Sequence, residues 1–184
     1  VKGLKQLFPS QVSTFTLDEE SSRRRGSSTD EVVRIGYGDI EPEDIELLRE
    51  TLNLSEVAAS AAHNLQQKFG QREWMKNFLA MEGRSDVAQL AQDLGVQPQA
   101  LGSLLNRLRN IARYGFLEER SQYDAAGKII EHLERGKHVV LELGRYRMDL
   151  NAYILISNML SRRIHHRYVE LKEAAEGGQG REPQ

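Results

Sequence analysis

Two arginines, Arg145 and Arg147, follow the apolar run His138 to Leu143 (HVVLEL). A short apolar run of this kind reads as a buried strand, and ligands of α/β sheets gather at the carboxyl ends of strands. An arginine there can reach nucleotide phosphates, where transition-state charge develops. Arg145 and Arg147 are therefore the nucleotide-contact candidates, although two ordinary loop arginines would look the same. Arg107 and Arg109 close a second pattern, LAQDLGVQPQALGSLLNRL. Leu90, Ala91, Leu94, Gly95, Val96, Leu101, Leu104 and Leu108 sit where a helix-turn-helix places its inner residues and tight turn. Its second helix would expose Gln97, Gln99, Asn106, Arg107 and Arg109 to base edges and phosphates. Two plainly packed antiparallel helices need only the same apolar spacing. Arg162 and Arg163 stand with His165, His166 and Arg167 near the end of a long helical stretch. Cations there suit the helix dipole as a solvated face, and contact with a neighbouring subunit is the functional alternative.

Other chemistry is excluded or poorly served. Cradling phosphates takes G-x-x-x-x-G-K-[ST] after a strand. Gly127-Lys128 and Gly136-Lys137 lack the upstream Gly and the downstream Ser or Thr, and Gly136-Lys137 precedes a strand, so it reads as a turn into that strand. His165 and His166 are adjacent and point to different sides of a helix, so they make no i,i+4 metal pair. The remaining histidines are scattered, and no metal site is expected. The chain has no cysteine, which removes disulfides and thiolate ligands and suits a reducing cytoplasm. No Ser/His/Asp constellation stands out. The net charge is −2, so any DNA contact must come from a local patch. Arg23 to Arg25, set among serines, reads as a solvated loop, with a DNA-facing loop as the minority reading. No run approaches the roughly 20 apolar residues of a membrane span.

The elements that would position these groups follow from periodicity. Val12 to Leu17 and Val32 to Tyr37 read as strands, with a polar loop from Asp18 to Asp30 between them. Pro42 opens a helical block: Ser55 caps one helix, Gly70 ends it, and Trp74, Phe78 and Leu79 mark the next. Ser85 or Asp86 caps a fourth helix, Pro98 opens a fifth, and Ala125 to Glu134 forms a sixth. After HVVLEL, Asp149 caps a long final helix. The expected fold is α/β, mostly helical by content: sheet strands in 1–41, a helical insertion over 42–135, a strand and long helix in 136–175, and a flexible tail over 176–184.

Two long stretches carry a family likeness. One is VKGLKQLFPS with VSTFTL, continuing through RIGYGDIEPEDIELLRETLNLSE. The other is ERGKHVVLELGRYRMDLNAYILISNMLSRRIHHRYVE. Together they resemble the central ATPase domain of the HerA group, within the HerA and FtsK superfamily of P-loop ATPases; the likeness is weakest between Gln71 and Ala125. The resemblance implies a partial RecA-like P-loop sheet interrupted by the helical insertion. It implies that the Walker A strand precedes this sequence and that the Walker B strand follows it, next after HVVLEL. The opening Val1 points the same way, to a piece of a longer protein. The segment alone would then not hydrolyse ATP. The parent would be a cytoplasmic ATP- and Mg-dependent DNA translocase or helicase acting in DNA end processing or repair. It would be a hexameric ring on duplex DNA, with a NurA-like nuclease as a further partner and no membrane. Two readings compete: a helix-turn-helix DNA-binding regulator using 86–109, and a helical protein-interaction module.

Overall fold

The structure, a computed structural model, describes residues 3–176. A short helix, α1 (Leu4–Leu7), leads into β1 (Val12–Thr16). Every residue of β1 is buried, as for the middle strand of a parallel sheet covered on both faces. Its buried hydroxyls are satisfied: Ser13 Oγ lies 2.6 Å from His132 Nδ1, and Thr16 Oγ1 lies 2.9 Å from Ser22 Oγ.

The polar segment after β1 departs from the expected loop. It contains α2 (Glu19–Arg24), capped by Asp18, whose carboxylate accepts the Ser21 N–H at 3.1 Å. Glu19 and Glu20 open the helix and Arg23 and Arg24 close it. That order complements the helix dipole. The next strand is also split. β2 (Glu31–Val32) pairs in parallel with β1, whereas β3 (Ile35–Gly36) turns away to another sheet. The Val33 N–H makes the last bond to Thr16 O, at 2.8 Å, and Ile35 N–H already donates to Phe116 O at 2.9 Å.

The helical block comprises α3 (Pro42–Leu47), α4 (Glu56–Phe69), α5 (Trp74–Leu79), α6 (Arg84–Asp93) and α7 (Pro98–Ile111). Ser55 caps α4 through the Ala58 N–H. α6 begins one residue before the expected Ser85 or Asp86 cap. Gly83 takes the cap position, where a Cβ would come within 2.9 Å of the Asp86 carboxylate. β4 (Leu117–Glu118) then pairs in parallel with β3, and α8 (Ala125–Glu134) follows.

β5 (His138–Glu142) returns to the first sheet and lies parallel to β1 along its whole length, Val12 opposite His138 and Thr16 opposite Glu142. A 3-10 turn, Gly144–Met148, leads to α9 (Leu150–Glu176). Asp149 caps α9, accepting the Ala152 N–H at 3.1 Å. The architecture is thus mixed α/β, mostly helical, with a sheet in the order β2-β1-β5 and the small β3-β4 pair. One apolar core runs through all of it, from Phe15 and Leu17 to Trp74, Phe78, Leu101 and Leu108 and on to Leu155 and Ile156. Of the expected tail, 177–184 lies outside the described residues.

β5 differs from β1 in one respect. Its residues are only half-buried, apart from exposed His138, although the run is as apolar as a central strand. His138 N–H donates to Gln11 O at 2.7 Å, and Glu142 O accepts the Leu17 N–H at 3.0 Å. Backbone groups of alternate residues point to opposite edges of a strand. Val139 and Leu141 therefore direct theirs away from β1, and among the described residues no strand pairs with that edge.

Candidate functional site

Parallel pairing brings the carboxyl ends of β1 and β5 to the same side of the sheet. Asp18 emerges there, with a side chain only 1 % exposed. Arg145 grips it with a two-pronged contact, Nε to Oδ2 at 2.8 Å and Nη2 to Oδ1 at 3.0 Å, and its backbone N–H adds a third bond to Oδ2 at 3.1 Å. The Arg145 guanidinium beside Asp18 holds the carboxyl well below its ordinary value of 3.8, helped by the Ser21 and Arg145 amides and opposed by burial. The chain turns at Gly144 to make this contact. Gly144 has φ +58°, and a Cβ there would lie 2.4 Å from the Asp18 Cβ, so no side chain fits.

Beside this pair, Glu142 is held by three donors: Ser22 Oγ at 2.7 Å, Ser27 Oγ at 2.8 Å and Arg25 Nη2 at 3.3 Å. The sheet end is thus a compact polar network built from α2, the loop after it, the end of β5 and the Gly144–Met148 turn. Arg147 is exposed and makes no ion pair among the described residues. Of the two candidates, Arg147 has its charge available, whereas a phosphate approaching Arg145 must compete with Asp18 and with Glu20 at 3.8 Å. Asp18 and Glu142 were not singled out by sequence. The capping pattern of Asp18 ahead of Glu19-Glu20-Ser21 was the available signal for Asp18. Glu142 had none, because its partners lie far back in the chain.

Asp18 makes the fold acid-sensitive. A group whose folded pKa is depressed adds stability that is fully present above its unfolded pKa and is lost as pH falls through the folded one. The contribution is therefore complete above about pH 4 and declines below it. Asp18→Asn should flatten the acid limb of stability below pH 4, measured by denaturant unfolding across pH 2–6.

The other candidates lie elsewhere. Arg162 is committed to its own chain, with Nη1 at 2.5 Å from Glu41 and Nη2 at 2.8 Å from buried Asp44. Arg163 pairs with Asp39 at 2.8 Å and Asp124 at 3.3 Å. Both line a groove of about 950 Å³ beside α8 and α9. Acidic side chains, including Asp39, Glu41, Asp124 and Glu131, line it together with Arg72, Arg162, Arg163 and Arg167. Arg109 donates to the Met81 carbonyl oxygen, and Arg107 is half-buried. The structure thus brings Arg145 and Arg147 to the sheet end, leaves Arg107 and Arg109 on α7, and does not join the two sets.

No family model, no curated protein and no solved structure matches this chain. Among the described residues no cluster of side chains suits a metal ion, and no helix is long and apolar enough to cross a membrane.

Proposed function

We propose that this chain is the part of a HerA-type, ATP-driven DNA translocase that lies between the two nucleotide motifs. The observation that carries the reading is the outer edge of β5, which no strand pairs with among the described residues. A half-buried apolar strand at the side of a parallel sheet offers unpaired backbone groups and partly uncovered faces, which a further strand would satisfy. In this reading the missing neighbour is the Walker B strand, and the sheet is a partial RecA-like P-loop sheet.

ATP and Mg²⁺ are held by segments outside this sequence. The residues described include neither a phosphate-cradling loop nor paired acids aimed at a metal, so the fit extends only to arginine. Bound nucleotide supplies the energy of translocation. This chain contributes Arg147 at the sheet end, together with Arg145 oriented by Asp18, as groups able to face phosphate across the site or a subunit boundary. The working assembly is a hexameric cytoplasmic ring on duplex DNA, active in end processing or repair, with a NurA-like nuclease as its companion.

The test is ATP hydrolysis by the complete product of the gene. Duplex DNA should stimulate it, and Arg147→Ala should lower kcat by at least about tenfold, on the scale of lost transition-state charge stabilisation. A complete product without a G-x-x-x-x-G-K-[ST] sequence, or without ATPase activity, would end the proposal.

A further inference from the structure

A separate surface, on α7, carries exposed carboxamides on one helical face. α6 and α7 are joined by the tight turn that the sequence anticipates. Gly95 sits at φ +66°, the Gly95 N–H donates to Gln92 O at 3.1 Å, and the Val96 N–H donates to Ala91 O at 2.9 Å. Leu90 and Ala91 on α6 and Leu101, Leu104, Leu105, Leu108 and Ile111 on α7 are all buried. The two helices are therefore fixed against each other and against the rest of the core.

The opposite side of α7 is open. Gln97 at its cap, and Gln99, Asn106 and Asn110 along it, are exposed, and half-buried Ser103 lies between them. Positions 99, 103, 106 and 110 fall on one helical face. The face carries carboxamides and a hydroxyl and no carboxylate. From Leu94 to Leu117 there is no Asp or Glu at all, in a chain that has 27 of them. The same run holds Arg107, Arg109 and Arg113, and exposed Arg84 opens α6. Glu119 shares a hollow with Arg109 and Arg113 and pairs with Lys76 at 2.7 Å, and two further carboxylates belong to α6. Asp93 is tied to Lys68 at 3.0 Å, and Asp86 lies in the first turn.

We infer that α7 is a recognition helix that enters the major groove of duplex DNA, with α6 crossing the phosphate backbone. The carboxamides of Gln99 and Asn106 have the donor–acceptor pair that matches adenine N7 and N6. Arg84 and Arg113 supply charge complementary to phosphates. The first turn of a recognition helix is the part that meets base edges, and here Gln99 occupies it, with Gln97 at the cap just before it. This inference stands on the helix pair alone and does not depend on the motor reading.

The experiment selects binding sites from a library of random 20-base-pair duplexes, using the complete gene product without ATP. Enrichment of a defined, adenine-containing site is expected. Gln99→Ala and Asn106→Ala should each reduce the preference for that site over a scrambled duplex by about tenfold or more. Lys172→Ala, on α9, should leave the preference intact. Both test positions are exposed, and unchanged thermal unfolding will confirm that the variants fold. Absence of enrichment, or a preference unaltered in both variants, overturns the inference. Sequence-blind binding that merely weakens with salt overturns it too, while leaving DNA-stimulated ATP hydrolysis untouched as a separate result.

Discussion

Asp44→Ala destabilises the protein by about 3 kcal/mol, the scale of removing one partner from a buried ion pair. The Asp44 carboxylate is fully buried where α3 meets α9. It accepts the Glu41 N–H at 2.9 Å, Asn158 Nδ2 at 2.6 Å and Arg162 Nη2 at 2.8 Å. Three donors therefore converge on one side chain. Alanine leaves the half-buried Asn158 amide and part of the half-buried Arg162 guanidinium without the acceptor they share, and it also removes a cap from the first turn of α3. Arg162 keeps Glu41 at 2.5 Å, which sets the loss near the lower end of the range for buried pairs. Urea unfolding followed by circular dichroism measures it. Asp44→Asn, which retains an acceptor, should cost less than alanine.

Trp74→Ala costs about 3–5 kcal/mol, the range for emptying a large aromatic site in a packed core. Trp74 is fully buried, and its Nε1 donates to Ile40 O at 3.0 Å. The side chain thus ties α5 to the segment between β3 and α3. Trp74→Phe keeps most of the apolar contact but leaves the Ile40 carbonyl without its donor, a loss of about 1–3 kcal/mol. The pair of variants separates packing from hydrogen bonding. Trp74 is the sole tryptophan of the chain, so its fluorescence reports unfolding of the parent protein, and circular dichroism serves for the variants. If the helical block were an independent unit, either change would unfold it while β1 and β5 stayed formed. The shared core predicts one cooperative transition.

These effects rest on features of unequal visibility in the sequence. The strand His138 to Glu142, the Asp149 cap and the Gly95 turn were legible because each is written in neighbouring residues: an apolar run, a capping side chain, a glycine where φ is positive. The division of Val32 to Tyr37 between two sheets was not. Ile35 and Gly36 pair with Leu117 and Glu118, and a two-residue pairing between distant segments leaves no periodic trace. The arginines show the same limit. Their positions at a strand end or on a helix were readable, but not that Arg145 would close on Asp18, or that Arg162 and Arg163 would be taken up by Asp39, Glu41, Asp44 and Asp124. Charge partners are chosen by the tertiary fold, so a free cation and a paired one look alike until the chain is folded.

The β5 edge is the element on which the motor reading rests, and amide hydrogen exchange in the complete gene product tests it most directly. The Val139 and Leu141 N–H groups point away from β1. If a strand from outside this chain lies beside β5, both amides will be protected as strongly as those of buried β1. Exchange at the rate of open surface amides, with β1 itself protected, would mean that β5 is a true outer strand and that nothing docks where the motor reading requires it.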